Sequence, residues 1–332
     1  MESKKREASN QKRIRVPAQV GKYKIIGTIG KGAFAVVALG IDAKTNTKVA
    51  VKILDREFVT QQNIIYYLEN ELRLCSRFNH PNIVKVYDII YEPDIIMIVM
   101  EYAQNGDLQS LFNKGVHFAY EEQLNITVQI LDALAYLHKR GISHRDIKPE
   151  NILFDEDMRP KLIDFGLSKE NSSSLQTFCG TPLYIAPEIV KGESYDGKKS
   201  DMWALGVTLN ILACGKYPWA VKSEAQLFRY MQEGRLQILT GASGILGMII
   251  DKCLAVNPNE RPSSEELLKM IDHMKNKNQI IGKIKFQKKT ITEDCLPKLQ
   301  LKNVNARHAN SNQQMFEVRS ALNFKNIHVE EL

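Results

Sequence analysis

His144-Arg145-Asp146-Ile147-Lys148-Pro149-Glu150-Asn151 places six ionisable or polar side chains in eight consecutive positions. The run follows a helical pattern over Glu121–His138, with Gly141 placed as its stop. Taken alone, such a stretch is a loop whose Asp and Asn side chains close Asx turns. Its surroundings ask for more. Thirteen residues past Asn151 comes Asp164-Phe165-Gly166, then Gly180-Thr181-Pro182 and Ala186-Pro187-Glu188.

Working outward toward the N-terminus, the chain changes character. From Tyr23 apolar and polar residues alternate, turn at glycines, and resume over Val49–Leu54, which predicts a β-meander. Between two of these strand patterns lies Gly30-Lys31-Gly32-Ala33-Phe34-Ala35-Val36-Val37. Glycines let backbone N–H groups approach phosphate oxygens closely, yet the same spacing also marks an ordinary hairpin. Neither a GK[ST] ending nor a following helix is present, so the P-loop and the Rossmann fingerprint are both excluded. Lys52, in Val49-Ala50-Val51-Lys52, is either an edge charge or a phosphate ligand. Glu71 sits on an amphipathic pattern over Asn63–Arg77 and is either a solvated carboxylate or the partner of Lys52. Strands are predicted over Ile83–Tyr87 and Ile95–Glu101, and Ser263 with Glu266 forms a capping box that opens a last helix.

The 332 residues are 44% hydrophobic and 25% charged, which excludes a chain disordered throughout, a collagen-like repeat and a coiled-coil rod. No apolar run reaches the ~18 residues of a membrane span, and MESKKREASN lacks the apolar core of a secretory signal. Five cysteines without a CxxC pair suit a reducing compartment, so an intracellular location, cytoplasmic or nuclear, is expected. The net charge is +7. Six Lys/Arg face two Asp/Glu in residues 1–16 and eleven face five in residues 275–332, so the body between them is net acidic. A nucleic-acid-binding domain would show the reverse.

With its elements in this order, the chain resembles the eukaryotic protein kinase family across residues 23–274. The resemblance is carried by the Gly-rich loop, VAVK (49–52), HRDIKPEN, DFG, APE and DMWALG (201–206). KPEN and GTPLYIAPE are similar to the serine/threonine type, and TFCGTPLYIAPE looks closest to the calcium/calmodulin-dependent and AMP-activated group. The resemblance implies an α+β, two-lobed fold. A small β-rich N-lobe (23–101) with one regulatory helix would precede a larger, mostly helical C-lobe (102–274). Residues 1–22 would be a basic extension and 275–332 a basic, largely disordered tail.

It also implies ATP and Mg²⁺ as cofactors and Ser/Thr hydroxyls of proteins as acceptors. Asp146 would take the hydroxyl proton and Lys148 would stabilise the transferring phosphoryl group, which needs positioning and charge neutralisation. Asn151 and Asp164 would supply oxygen ligands to Mg²⁺, while Lys52, oriented by Glu71, would hold the α- and β-phosphates. Ile29, Val37, Ala50 and Leu153 would sandwich the adenine. Glu101 and Ala103 would read its edge behind Met100, and Asp107 would reach the ribose. Gly30 to Val36 would cover the phosphates, although Ala35 stands where the family has its third glycine. Thr181 would bond Asp146 and Lys148. Phosphorylated Thr177 would pair with Arg145. Asp107 and Glu150 would favour basic residues N-terminal to the acceptor. His144 and Phe165 would pack with Cys75, Asp201 would brace the loop, Glu188 would pair with Arg261, and Trp203 and Trp219 would be core.

A catalytically dead scaffold is the rival reading, and it would lack one of Lys52, Asp146 or Asp164; these and Asn151 are all present. The tails add others: nucleic-acid or anionic-membrane binding, a solvated tail, or an autoinhibitory segment over 279–302.

Overall fold

Alternation in the first third of the chain produces one curved sheet. The computed structural model describes residues 14–31, 35–61 and 65–280. Strands β1 (Gln19–Val20), β2 (Tyr23–Lys31), β3 (Ala35–Asp42), β4 (Lys48–Asp55), β5 (Val86–Tyr91) and β6 (Ile95–Glu101) pair antiparallel in the order β1-β2-β3-β4-β6-β5. Successive side chains of a strand point to opposite faces, and here each face has its own apolar cluster. Val37, Ala50, Leu54, Ile96, Ile98 and Met100 pack on the inner face with Leu68 and Leu72. Val49, Val51, Ile53, Met97 and Val99 form the outer face. The β-branched, doubly buried sequence of β4 follows from this position between two cores.

Ile14, Val16 and Val20 also pack onto the outer face. The N-lobe helices are α1 (Arg56–Gln61) and α2 (Ile65–Cys75). One expectation needs correction. The fourth long strand is Val86–Tyr91; Ile83 makes only an isolated parallel bridge to Leu162 of the other lobe. HPN (80–82) causes this shift, because His80 and Asn82 are anchored to the C-lobe. His80 meets Asp132 at 3.1 Å, and Asn82 donates to Gln129 and to the Pro160 carbonyl.

Beyond Glu101 helices dominate: α3 (Leu108–Asn113), α4 (Tyr120–Lys139), α5 (Pro187–Val190), α6 (Gly197–Cys214), α7 (Glu224–Gln232), α8 (Gly244–Cys253) and α9 (Ser264–Ile280). They share a single core with Trp203 and Trp219, whose rings stack at 6.1 Å. Helix α6 is buried for most of its length. Gly206 lets it approach α8: a Cβ there would sit 2.8 Å from Cys253 Cβ. Gly215 ends the helix in the left-handed region (φ 69°), donating to the Ile211 carbonyl. A short hairpin, β7 (Ile152–Phe154) with β8 (Pro160–Leu162), sits between the lobes. Ser263 and Glu266 form the expected box, with Ser263 N–H donating to Glu266 at 2.7 Å and Glu266 N–H to Ser263 Oγ at 3.2 Å. Helix α9 runs to Ile280. The readings on Gly32-Ala33-Phe34, residues 1–13 and residues 281–332 lie outside the described residues.

Candidate active site

The two strand faces decide where Lys52 goes. It shares the inner face of β4 with Ala50 and Leu54 and is 2% exposed. Glu71, on the buried side of α2, lies with Oε2 3.8 Å from Lys52 Nζ. Burial raises the Glu71 carboxyl above its ordinary range, and Lys52 only partly opposes that. Ile29, Val37, Ala50, Met100, Ala103 and Leu153 fall in one apolar cluster, so both lobes contribute to this slot. Glu101 ends β6 at the lobe junction, where its carboxylate pairs with Lys161.

The loop after α4 is held from below. Asp201 on α6 is fully buried and accepts the N–H of His144 at 2.8 Å and of Arg145 at 2.7 Å, as anticipated. His138 adds a third contact to Asp201 at 2.9 Å, which the sequence reading missed. Two fixed oxygens thus hold Arg145 in its left-handed conformation (φ 68°). His144 donates from Nε2 to the Ile163 carbonyl and accepts at Nδ1 from Asp146 N–H; burial lowers its pKa. Its ring packs on Phe165 at 4.9 Å, and Phe165 packs on Phe78 at 5.0 Å. Phe78 was not anticipated; it lies three residues beyond Cys75, in the same core cluster.

Above this support the polar side chains converge on Asp146. Lys148 Nζ donates to its Oδ2 at 2.7 Å, Thr181 Oγ1 to its Oδ1 at 2.8 Å, and Asn151 Nδ2 to its Oδ2 at 3.0 Å. Lys148 also donates to Thr181 at 2.7 Å. Burial alone would raise the Asp146 carboxyl, but the Lys148 charge and the bonds from Lys148 and Thr181 hold it below the ordinary range. Asp164, left-handed at φ 65°, has its carboxyl raised by burial, with Lys52 opposing. Asn151 spends its amide nitrogen on Asp146, which leaves Oδ1 buried without a hydrogen bond.

A match to the protein kinase domain spans residues 23–271. The chain belongs to the protein kinase family. This kinase domain is 38% identical over 249 residues to serine/threonine-protein kinase SIK1 of Mus musculus, covering 74% of the chain and 32% of that protein. It is 34% identical over 259 residues to CBL-interacting protein kinase 25 of Oryza sativa subsp. japonica, covering 75% and 50%. NUAK family SNF1-like kinase 1 of Homo sapiens is 35% identical over 248 residues, covering 74% and 37%. The chain thus spans between a third and a half of the length of these relatives. The first of these relatives is named as a serine/threonine-protein kinase and the last as an SNF1-like kinase.

The Thr177 side chain is exposed, with its carbonyl engaged by Tyr195 OH at 2.8 Å. The Arg145 guanidinium donates to Cys179 Sγ, and its Nε is buried without a partner. Asp107 caps α3, accepting Ser110 N–H at 2.8 Å and Ser110 Oγ–H at 2.6 Å. Glu150 Oε2 is buried with no hydrogen bond, and burial raises its carboxyl.

Among the described residues no helix is long and apolar enough to cross a membrane.

Proposed function

We propose that the chain is a protein serine/threonine kinase that transfers the γ-phosphoryl group of ATP to Ser/Thr hydroxyls of proteins. The observation that carries this is the convergence on Asp146 of Lys148, Thr181 and Asn151 beside the Lys52–Glu71 pair. The acceptor oxygen forms a bond to the γ-phosphorus, the bond to the β–γ bridging oxygen breaks, ADP leaves, and Asp146 takes the hydroxyl proton. An ionised Asp146 suits that role, and Lys148 neutralises charge that develops on the phosphoryl oxygens. Lys52 holds the α- and β-phosphates, and the apolar slot from Ile29 to Leu153 takes the adenine. Gly30, Lys31, Ala35 and Val36 flank the phosphate-covering turn.

Mg²⁺ fits the donor set. Asn151 Oδ1 and Asp164 are hard oxygen donors, and no cluster of three or more His, Cys, Asp or Glu competes among the described residues. This sparse set suits an ion that keeps water and nucleotide phosphates as its other ligands. Bound there, Mg²⁺ supplies neutralisation of phosphate charge.

The finer readings rest on particular residues. Phosphorylation of Thr177 would bring a charge near −2 to Arg145, which requires the guanidinium to leave Cys179. Glu150, with its free buried oxygen, is better placed than Asp107 to take an arginine N-terminal to the acceptor. Free thiols at Cys75, Cys179, Cys214 and Cys253 suit an intracellular setting.

The test is phosphorylation of a peptide array by the purified chain with ATP and Mg²⁺. We expect Ser/Thr labelling with a basic preference before the acceptor, and a loss of about 10²-fold or more for Asp146→Asn. Wild-type turnover by Asp146→Asn would refute the mechanism, and no labelling by the wild type would favour a scaffold. For Thr177, treatment with an activating kinase should raise wild-type activity and leave Thr177→Ala unchanged; equal gains would refute the switch.

A further inference from the structure

The position of α2 sets the position of Glu71, so what holds α2 matters for any chemistry at Lys52. Glu71 itself holds little: its Oε2 is buried, lacks a hydrogen bond and stands 3.8 Å from Lys52. The apolar side of α2 packs through Leu68 and Leu72 into the N-lobe and through Leu74 and Cys75 into the C-lobe. Its polar side is where the chain shows a built attachment.

Asn70 and Arg73 flank Glu71 on the same helix, and Arg77 follows one turn later. Arg73 donates to Glu170 Oε2 at 2.7 Å and Arg77 to Glu170 Oε1 at 3.2 Å, so one carboxylate is shared by two guanidinium groups. Arg73 also donates to Asn70 Oδ1 at 3.1 Å, and Asn70 Nδ2 donates to the Ser168 carbonyl at 2.8 Å. Ser168 and Glu170 lie just after Asp164-Phe165-Gly166. Between them Lys169 pairs in both directions with Ser143, at 3.0 and 3.1 Å, and Ser168 Oγ donates to the His144 carbonyl at 3.2 Å. A continuous hydrogen-bonded path therefore runs from α2 through residues 168–170 to the loop that carries Asp146.

We propose that Glu170 is a positioning residue: a carboxylate supplied by the chain that latches α2 through Arg73 and Arg77 and so holds Glu71 against Lys52 without a phosphate. Each exposed ion pair alone contributes little, but a shared carboxylate in a network with Asn70 escapes that rule. The latch is independent of Thr177, since none of its groups contacts that residue's side chain. This inference rests on the kinase reading for its effect on catalysis and on geometry alone for its effect on α2.

The experiment uses the full chain after phosphatase treatment, with two readouts. Hydrogen exchange of the α2 amides reports the latch, and steady-state kinetics report its consequence. Glu170→Arg should speed exchange over 65–75 and raise KM for ATP about fivefold to tenfold, with KM for peptide and the melting midpoint little changed. Adding Arg73→Glu should restore a pair of opposite sign and recover most of both effects. If Glu170→Arg does not fold, Glu170→Gln keeps the shape and removes the charge, and about a threefold rise is expected. Unchanged α2 exchange in the Glu170 variants would overturn the proposal whether or not the chain phosphorylates peptide. So would a charge swap that recovers nothing. A wild type without phosphotransfer would count against the kinase reading, and α2 exchange would still judge the latch.

Discussion

Asp146 and Glu150 stand four residues apart in one loop, yet their surroundings push their carboxyls in opposite directions. Lys148 and Thr181 overcome burial at Asp146 and keep it ionised. At Glu150 burial dominates, Lys148 only partly opposes it, and the carboxyl is raised. A raised carboxyl takes up its proton at higher pH than an ordinary glutamate, so acidification removes the Glu150 charge early. We therefore expect preference for an arginine before the acceptor to weaken as pH falls from about 8 toward 5.5. The ratio of kcat/KM for Arg- and Ala-bearing peptides across that range measures it. A flat ratio would assign the preference elsewhere. Glu150→Gln should show a low ratio throughout.

Pairs of elements are locked at a few buried polar points. Glu188 on α5 receives both terminal nitrogens of Arg261 at 2.7 Å, and both side chains are essentially without solvent contact. Arg261 spends its remaining donors on the carbonyls of Lys199, Ala255 and Val256, and its guanidinium lies 5.0 Å over the Trp203 ring. Removing one partner strands the other charge in the core, which costs far more than an exposed pair would. Arg261→Met should lower C-lobe stability by about 3–5 kcal/mol, read as a reduced urea midpoint. A shift under about 1 kcal/mol, the size for an exposed pair, would mean that water reaches Glu188. The spacing of 73 residues shows why this pair was read from the family resemblance and not from local pattern.

Across the whole molecule, the sheet needs cover on both faces. The inner face receives α2 and the C-lobe hairpin, and the outer face receives Ile14, Val16 and Val20. Val20 is completely buried, and full burial of such a side chain is worth about 1.5–3 kcal/mol. A chain begun at Tyr23 should therefore melt several degrees lower than one begun at Ile14, with KM for ATP nearly unchanged because the nucleotide slot is on the other face. Equal melting of the two would show that these residues add nothing to the lobe.

Local chemistry made much of this legible. The strand over Val49–Leu54 was legible from its pattern, and the Ser263–Glu266 box marked the start of α9, because strand period and helix capping act over a few residues. The ordered motifs from Gly30 to Gly206 carried the family and, through it, the pairing of Asp201 with the loop and of Glu188 with Arg261. Other features had no local signature. Ile14 and Val16 lie in a basic stretch that reads as an extension until a sheet face is there to receive them. Nothing within a few residues of Arg73 or Arg77 marks Glu170, 97 and 93 positions away, as their partner. The amino-acid sequence by itself determined which chemical groups the site contains and the period on which each is displayed. Only the tertiary structure decided which distant charges meet beyond those the family resemblance implied, because a contact between remote residues depends on how two separately folded elements pack.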